Sequence, residues 1–245
     1  MQAFISEIVP AGSVDFSKDL FMKIYFSGCD FKCSYCNTPD LLETKFDHVV
    51  ELKDIKKEIE RQAGTVKGVL ITGGEPCFQR QALLNLLTHC KSLKLDTIIH
   101  TNGSKPDVLK SLLKNELLTQ VIMDFKSPFT KTFEKITKSQ TFFKPTNDIM
   151  KDLLETLKLL RQYDEKTKIL FRTTVVPGLL FRKEDFLEMA KEIESILCSW
   201  ELKAFSNSVV LDKQMRNITR PTQTFLENII TYLKKEIPNL NVKIV

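Results

Sequence analysis

Short apolar runs rich in β-branched residues alternate with amphipathic stretches along most of this chain, and that alternation constrains the fold more than any other feature. Runs at Leu20–Phe26, Gly68–Thr72, Asp96–Thr101, Gln120–Asp124, Lys168–Thr174, Glu201–Phe205 and Asn241–Val245 read as strands. Between them, Lys53–Gln62, Gln79–Ser92, Pro106–Asn115, Asp148–Gln162, Lys183–Ser199 and Pro221–Glu236 repeat apolar residues three and four apart, as at Leu153, Leu157 and Leu160, and read as helices. A strand reaches a parallel neighbour only through a crossover, so some six alternations imply right-handed βαβ units and a parallel sheet. Six units fall short of the closed eight-stranded barrel and predict an α/β fold of the partial (β/α)6 TIM type, with the chemistry on loops that follow the C-terminal ends of the strands.

The 245 residues, 42% of them hydrophobic and 27% charged, are enough to bury a sizeable core and exclude a disordered or fibrous chain. No Pro/Gly/Ser linker, repeat or low-complexity tract interrupts them. A single domain over residues 1–245 is expected, with its core at about residues 20–211 and a closing helix and strand in 221–245. The balance of 36 Lys+Arg against 31 Asp+Glu is too mild for a nucleic-acid binder and suits an acidic protein partner. The N-terminus lacks the basic and apolar regions of a signal peptide, and no run approaches the ~18 apolar residues of a membrane span, so a soluble cytoplasmic protein is expected.

Three of the six cysteines, Cys29, Cys33 and Cys36, fall within eight residues directly after the first expected strand. Clustering of this kind favours a metal centre over a disulfide framework. Three thiolates on one short loop suit an iron–sulfur cluster. A zinc site would need a fourth ligand and would have to recruit a distant group such as His48 or Cys77. A four-iron cluster on three cysteines leaves one iron open to a small molecule. Cys77, Cys90 and Cys198 show no paired spacing and cannot build a second cluster; Cys90, at a helix end, reads as a small core residue.

The spacing Cys29-x3-Cys33-x2-Cys36, with Tyr35 just before the last cysteine, resembles the signature of the radical S-adenosylmethionine (SAM) superfamily. The resemblance implies a [4Fe–4S] cluster whose open iron binds the amino and carboxylate groups of SAM. It also implies reductive cleavage of the SAM carbon–sulfur bond and hydrogen-atom abstraction from a substrate by the 5′-deoxyadenosyl radical. Gly73-Gly74-Glu75, at the end of the second strand, places a carboxylate beside two residues that let the backbone pass close to a ligand. It matches the superfamily's Gly-Gly-Glu, which contacts the SAM amino group.

Later strands end in His100-Thr101-Asn102-Gly103, in Asp124-Phe125-Lys126, and in the stretch Phe171-Arg172 to Gly178. Asp124, Lys126 and Arg172 sit at the ends of otherwise apolar strands, where either rim ion pairs or a charged ligand would satisfy them. Together these segments resemble the activating enzymes of glycyl radical enzymes, over residues Gly28 to about Leu211. That likeness implies a glycyl radical enzyme as partner, in particular anaerobic ribonucleotide reductase, a flavodoxin- or ferredoxin-type electron donor, and SAM contacts from Asn102, Asp124, Lys126 and Arg172, some through a monovalent cation. His100 departs from the pattern, since pyruvate formate-lyase activases carry an aspartate there and hard cations prefer oxygen. Its imidazole reads either as a hydrogen-bonding group for SAM or substrate or as an ordinary strand-end histidine. The short carboxy-deazaguanine synthases, which act on a small molecule, are the rival family. Between Lys126 and Thr146, five lysines against one glutamate interleave with Phe129, Phe133, Phe142 and Phe143, a pattern of either a solvated helix with core aromatics or a docking surface for an acidic partner.

Overall fold

The computed structural model of the chain, which describes residues 1–141 and 144–245, opens on a pair of antiparallel strands, β1 (Gln2–Val14) and β2 (Ser17–Phe26). They begin the first of two compact units, formed by Met1–Asp30, Asp40–Thr101 and Lys105–Ile122. After β2 come β3 (Val49–Glu51), α1 (Leu52–Gln62), β4 (Gly68–Gly73), α2 (Arg80–Ser92), β5 (Asp96–Thr101), α3 (Pro106–Lys114) and the start of β6 (Gln120–Asp124). The strands lie in the order β3-β1-β2-β4-β5-β6, with β2, β4 and β5 paired in parallel and β1 antiparallel to both of its neighbours. Strands β4, β5 and β6 are buried on both faces through their middles, as parallel strands covered by crossover helices must be. Helix α1 buries Leu52, Ile55 and Ile59, one stripe of its surface, and α2 buries Leu83, Leu86, Leu87 and Cys90. Cys90 is thus a core residue.

The second unit, Phe31–Pro39, Asn102–Ser104 and Met123–Val245, takes in the end of β6 and then α4 (Lys131–Thr137), α5 (Thr146–Tyr163), β7 (Lys168–Val175), α6 (Lys183–Ile193), β8 (Cys198–Ala204), α7 (Gln223–Glu236) and β9 (Val242–Ile244). Its strand order is β6-β7-β8-β9, and the β7/β8 and β8/β9 pairings are parallel. Trp200 at the centre of β8 is fully buried and donates its indole N–H to Thr173 of β7 at 2.9 Å. Among the described residues no helix is long and apolar enough to cross a membrane.

Four elements depart from the pattern reading. The sheet is mixed, because the long β1, with the short β3 outside it, adds antiparallel pairing that the alternation did not indicate. Helix α4 is one that periodicity missed. The helix expected over Lys183–Ser199 stops at Ile193, because Cys198–Ala204 pairs with all of Ile169–Val175 and the turn before it is held by the bond from the Leu197 N–H to the Asp164 carboxylate at 2.7 Å. Trp200→Ala is expected to lower stability by about 3–5 kcal/mol, read as a lower urea midpoint at an unchanged slope; a loss below ~1 kcal/mol would mean that β8 is not packed as described.

Candidate active site

In the first unit, the chain that leads into Cys29 is held largely by backbone hydrogen bonds. Ser27 donates its N–H to the Phe4 carbonyl (2.9 Å), Gly28 to Leu41 (2.8 Å) and Cys29 to Leu42 (3.1 Å). From the loop after β4, Gly74 donates to the Phe26 carbonyl (2.8 Å) and Glu75 to that of Gly28 (2.7 Å). The two segments run so close that a Cβ on Gly73 would lie 2.2 Å from the Phe26 oxygen, and one on Gly74 2.4 Å from the Gly28 oxygen. Gly73 also has φ +121, which L side chains rarely adopt. The close approach that this glycine pair permits is to the cysteine loop. Gly74→Ala must push these strand ends apart, an overpacking cost of about 1–3 kcal/mol or more, expected as a lowered melting temperature of the metal-free chain together with loss of bound iron after anaerobic reconstitution.

Glu75 is fully buried and its Oε1 accepts from the Cys77 N–H at 3.0 Å and the Thr101 hydroxyl at 2.7 Å, so the carboxylate caps the 3-10 turn Pro76–Gln79. Burial, and then the charge of Glu75, push the Cys77 thiol well above its ordinary range. His100 is half-buried on β5, with Nδ1 3.4 Å from the Thr72 hydroxyl. His48 bonds through Nδ1 to the buried Ser27 hydroxyl at 2.6 Å. Asp30, next to Cys29, pairs with Lys105 at 2.7 Å, and the same ammonium lies 4.9 Å from the Phe78 ring.

The second unit carries the rest of the cysteine loop. Phe31 packs edge-on against Phe133 (5.7 Å), Lys32 donates to the Thr137 carbonyl (2.8 Å), and Asp212 donates to that of Ser34 (2.9 Å). Tyr35 is anchored against the apolar group Val176, Phe205, Val210 and Met215, which is the physical demand for a large ring at this position. Lys126 donates to Asp124 at 2.9 Å and lies 5.9 Å from the Tyr35 ring centre. Burial opposes the charge on Lys126, but Asp124, Tyr35 and Cys33 outweigh it, and its pKa is raised well above the ordinary lysine value. Burial raises the Cys33 thiol to about 11, with Lys126 pulling the other way. Cys36 lies 3.8 Å from the Thr38 hydroxyl. Asn102 is buried and accepts from the Ser104 N–H at 2.9 Å, shaping the turn at Gly103.

Arg172 lies three residues inside β7 and not at its end, where the strand reading put it. It is opposite Glu201 in the β7/β8 register, which accepts from Nε (3.1 Å) and Nη2 (2.6 Å); Lys243 of β9 adds a second cation 3.2 Å from the other oxygen. Glu201 is fully buried and is the one functional-looking acid that motif reasoning passed over; the signal was an acid inside a strand whose neighbours Trp200 and Leu202 are apolar. In the basic stretch after β6, Phe133 is a core residue and Phe129 packs on Phe125 and Phe133, while Lys131, Lys135 and Lys138 face solvent on α4. Phe142 and Phe143 lie outside the described residues.

None of the six cysteines is in a disulfide. Burial lifts both Cys90 and Cys198 from an ordinary 9.0 to about 12, so neither is a thiolate near neutrality. Both should resist alkylation by iodoacetamide at pH 8 until denaturant is added. Because the folded chain keeps protons that the unfolded chain releases near pH 9.0, their contribution to stability falls as pH rises from there toward about 12. Rapid native-state labelling of either residue at pH 8 would contradict that burial.

Residues 24–193, more than half of the chain, match the family model described as the radical SAM superfamily. Over 99% of this chain and 97% of its own length, a protein of Methanocaldococcus jannaschii that is provisionally named a glycyl-radical enzyme activating enzyme is 27% identical. A 7-carboxy-7-deazaguanine synthase of Clostridium acetobutylicum is 33% identical over 60% of this chain and 65% of its own. Among solved structures, a radical SAM methyltransferase from Sphaerobacter thermophilus superposes with a TM-score of 0.67 at 12% identity, covering 99% of this chain and 77% of that one. The fold is therefore the mixed α/β, partial TIM-barrel core seen in such enzymes.

Proposed function

Because the chain belongs to the radical SAM superfamily and is an enzyme of that type, with a [4Fe–4S] cluster and SAM as its cofactors, we propose that it activates a glycyl radical enzyme by abstracting a hydrogen atom from a backbone glycine of that partner. The observation that carries this reading is the likeness to the activating enzyme of Methanocaldococcus jannaschii, which runs the whole length of both chains and not only through the motifs. Anaerobic ribonucleotide reductase is the partner we infer, with a flavodoxin or ferredoxin supplying the electron, in the cytoplasm.

The donor chemistry fits the cluster. Cys29, Cys33 and Cys36 lie within eight residues of one another and outside any disulfide, and thiolate sulfur is what iron–sulfur clusters take. A cluster held by Cys29, Cys33 and Cys36 would supply the electron for reductive cleavage of SAM. The chain's own residues bind, orient and shield. Gly73, Gly74 and Glu75 hold the SAM amino group, with Glu75 fixed in place by Thr101 and the Cys77 N–H. Tyr35, packed on its apolar group, closes the loop against water. Lys126, kept charged by Asp124, and Arg172, held in place by Glu201, would meet the anionic part of the ligand, and His100 and Asn102 would complete the polar contacts.

The second reading, synthesis of 7-carboxy-7-deazaguanine, is favoured by the 33% identity to a protein of that name and by His100 in place of the activase aspartate. Electron paramagnetic resonance of anaerobically reconstituted chain mixed with reductant, SAM and anaerobic ribonucleotide reductase separates the two. A glycyl doublet is expected, accompanied by 5′-deoxyadenosine, and both are lost with Cys33→Ala. Deoxyadenosine with no doublet, and carboxy-deazaguanine formed from its precursor, would favour the second reading.

A further inference from the structure

The three carbonyls that precede Cys29 belong to Phe26, Ser27 and Gly28, and one short segment holds all of them. The Gly74 and Glu75 N–H groups take the first and third. The middle one, Ser27 O, accepts from the side-chain Nε2 of Gln79 at 3.0 Å. The same amide donates from Nε2 to the Phe4 carbonyl (2.9 Å) and accepts from the Phe4 N–H through Oε1 (2.8 Å). Gln79 therefore occupies both hydrogen-bonding groups of Phe4, as a paired strand residue would, and spends its other donor on the residue two before Cys29. Phe4 is 75 residues away in sequence and Ser27 52. Because the Ser27 N–H also goes to Phe4, this amide closes a ring of bonds around the base of the cysteine loop. Buried backbone carbonyls need partners, and the Gln79 amide supplies one to Ser27.

We propose that Gln79 is a positioning residue for Cys29: its side-chain amide sets the path of Ser27 and Gly28 and so the presentation of the Cys29 sulfur. It touches neither cluster nor substrate. The proposal rests on the reading that the cysteine loop holds a [4Fe–4S] cluster, and not on which partner receives the radical. Partners that orient metal ligands are worth about 10- to 100-fold in affinity or activity when removed. Gln79→Glu keeps an oxygen for the Phe4 N–H and loses both donated bonds; Gln79→Met loses all three at similar volume.

The test compares both variants with the wild type and with Ile5→Val, which weakens the same strand β1 at its pairing with Phe26 while leaving the three Gln79 bonds in place. In the cluster-free chains, amide hydrogen exchange at Gly28 and Cys29 is expected to be about tenfold faster in the Gln79 variants than in Ile5→Val. In reconstituted chains, iron release to a chelator should be about tenfold faster, with an altered resonance spectrum of the reduced cluster. If Gln79→Met does not fold, Gln79→Glu carries the comparison. Exchange and iron release equal to those of Ile5→Val at matched melting temperature would overturn the proposal and leave Gln79 as strand support. A wild-type chain that takes up no iron would overturn the cofactor reading, and is told apart because the wild type itself fails while the exchange difference persists.

Discussion

The rest of this structure depends on one backbone contact, the approach of the loop after β4 to the loop after β2. Carbonyl groups at Phe26 and Gly28 meet N–H groups at Gly74 and Glu75 at ordinary hydrogen-bond distance, 2.8 and 2.7 Å, and at that separation no Cβ fits on either glycine. The contact extends the parallel β2/β4 pairing past its last rungs into irregular chain. It sets where Cys29 begins, where Glu75 lies buried, and where the Pro76–Gln79 turn starts α2. Glu75 is thereby fixed as the cap of that turn, its carboxylate held by the Cys77 N–H and the Thr101 hydroxyl.

Charge in the second unit follows a related rule, that among the described residues the buried ions are paired. Lys126 is matched by Asp124, and Arg172 by Glu201, which Lys243 also approaches. Such pairs are poor sources of stability, because desolvation offsets much of their attraction. Their worth here is that each cation is held in one place and stays charged, which suits binding an anionic group. Sharing Glu201 between β7 and β9 also ties the short last strand to Arg172.

Much of this was legible in the chain itself. The strands β4, β5 and β6 and helices α1, α3 and α5 follow from apolar period to within two residues, because local pattern and burial agree there. The motif residues were legible as chemistry. What escaped were features made by distant partners. β1 alternates poorly, carrying Pro10, Gly12 and three register irregularities, so its period is broken. α4 has seven residues, too few for a helical period to stand out from Thr130 and the lysines. Glu201 and Gln79 read as unremarkable polar residues until strand register and turn geometry bring them to Arg172 and Ser27, 29 and 52 positions away.

The glycine pair bears on what such a signature can diagnose in a genome. Its two members are required by the crossing of two protein segments, whether or not a cofactor is bound. A descendant that had lost the chemistry but kept the fold would still be selected to keep Gly73 and Gly74, since any side chain there collides with main-chain oxygen. The same descendant would be free to replace Cys33 or Cys36. In a search for catalytically retired relatives, the glycines therefore report inheritance of the scaffold, and only the cysteines report continued use of it.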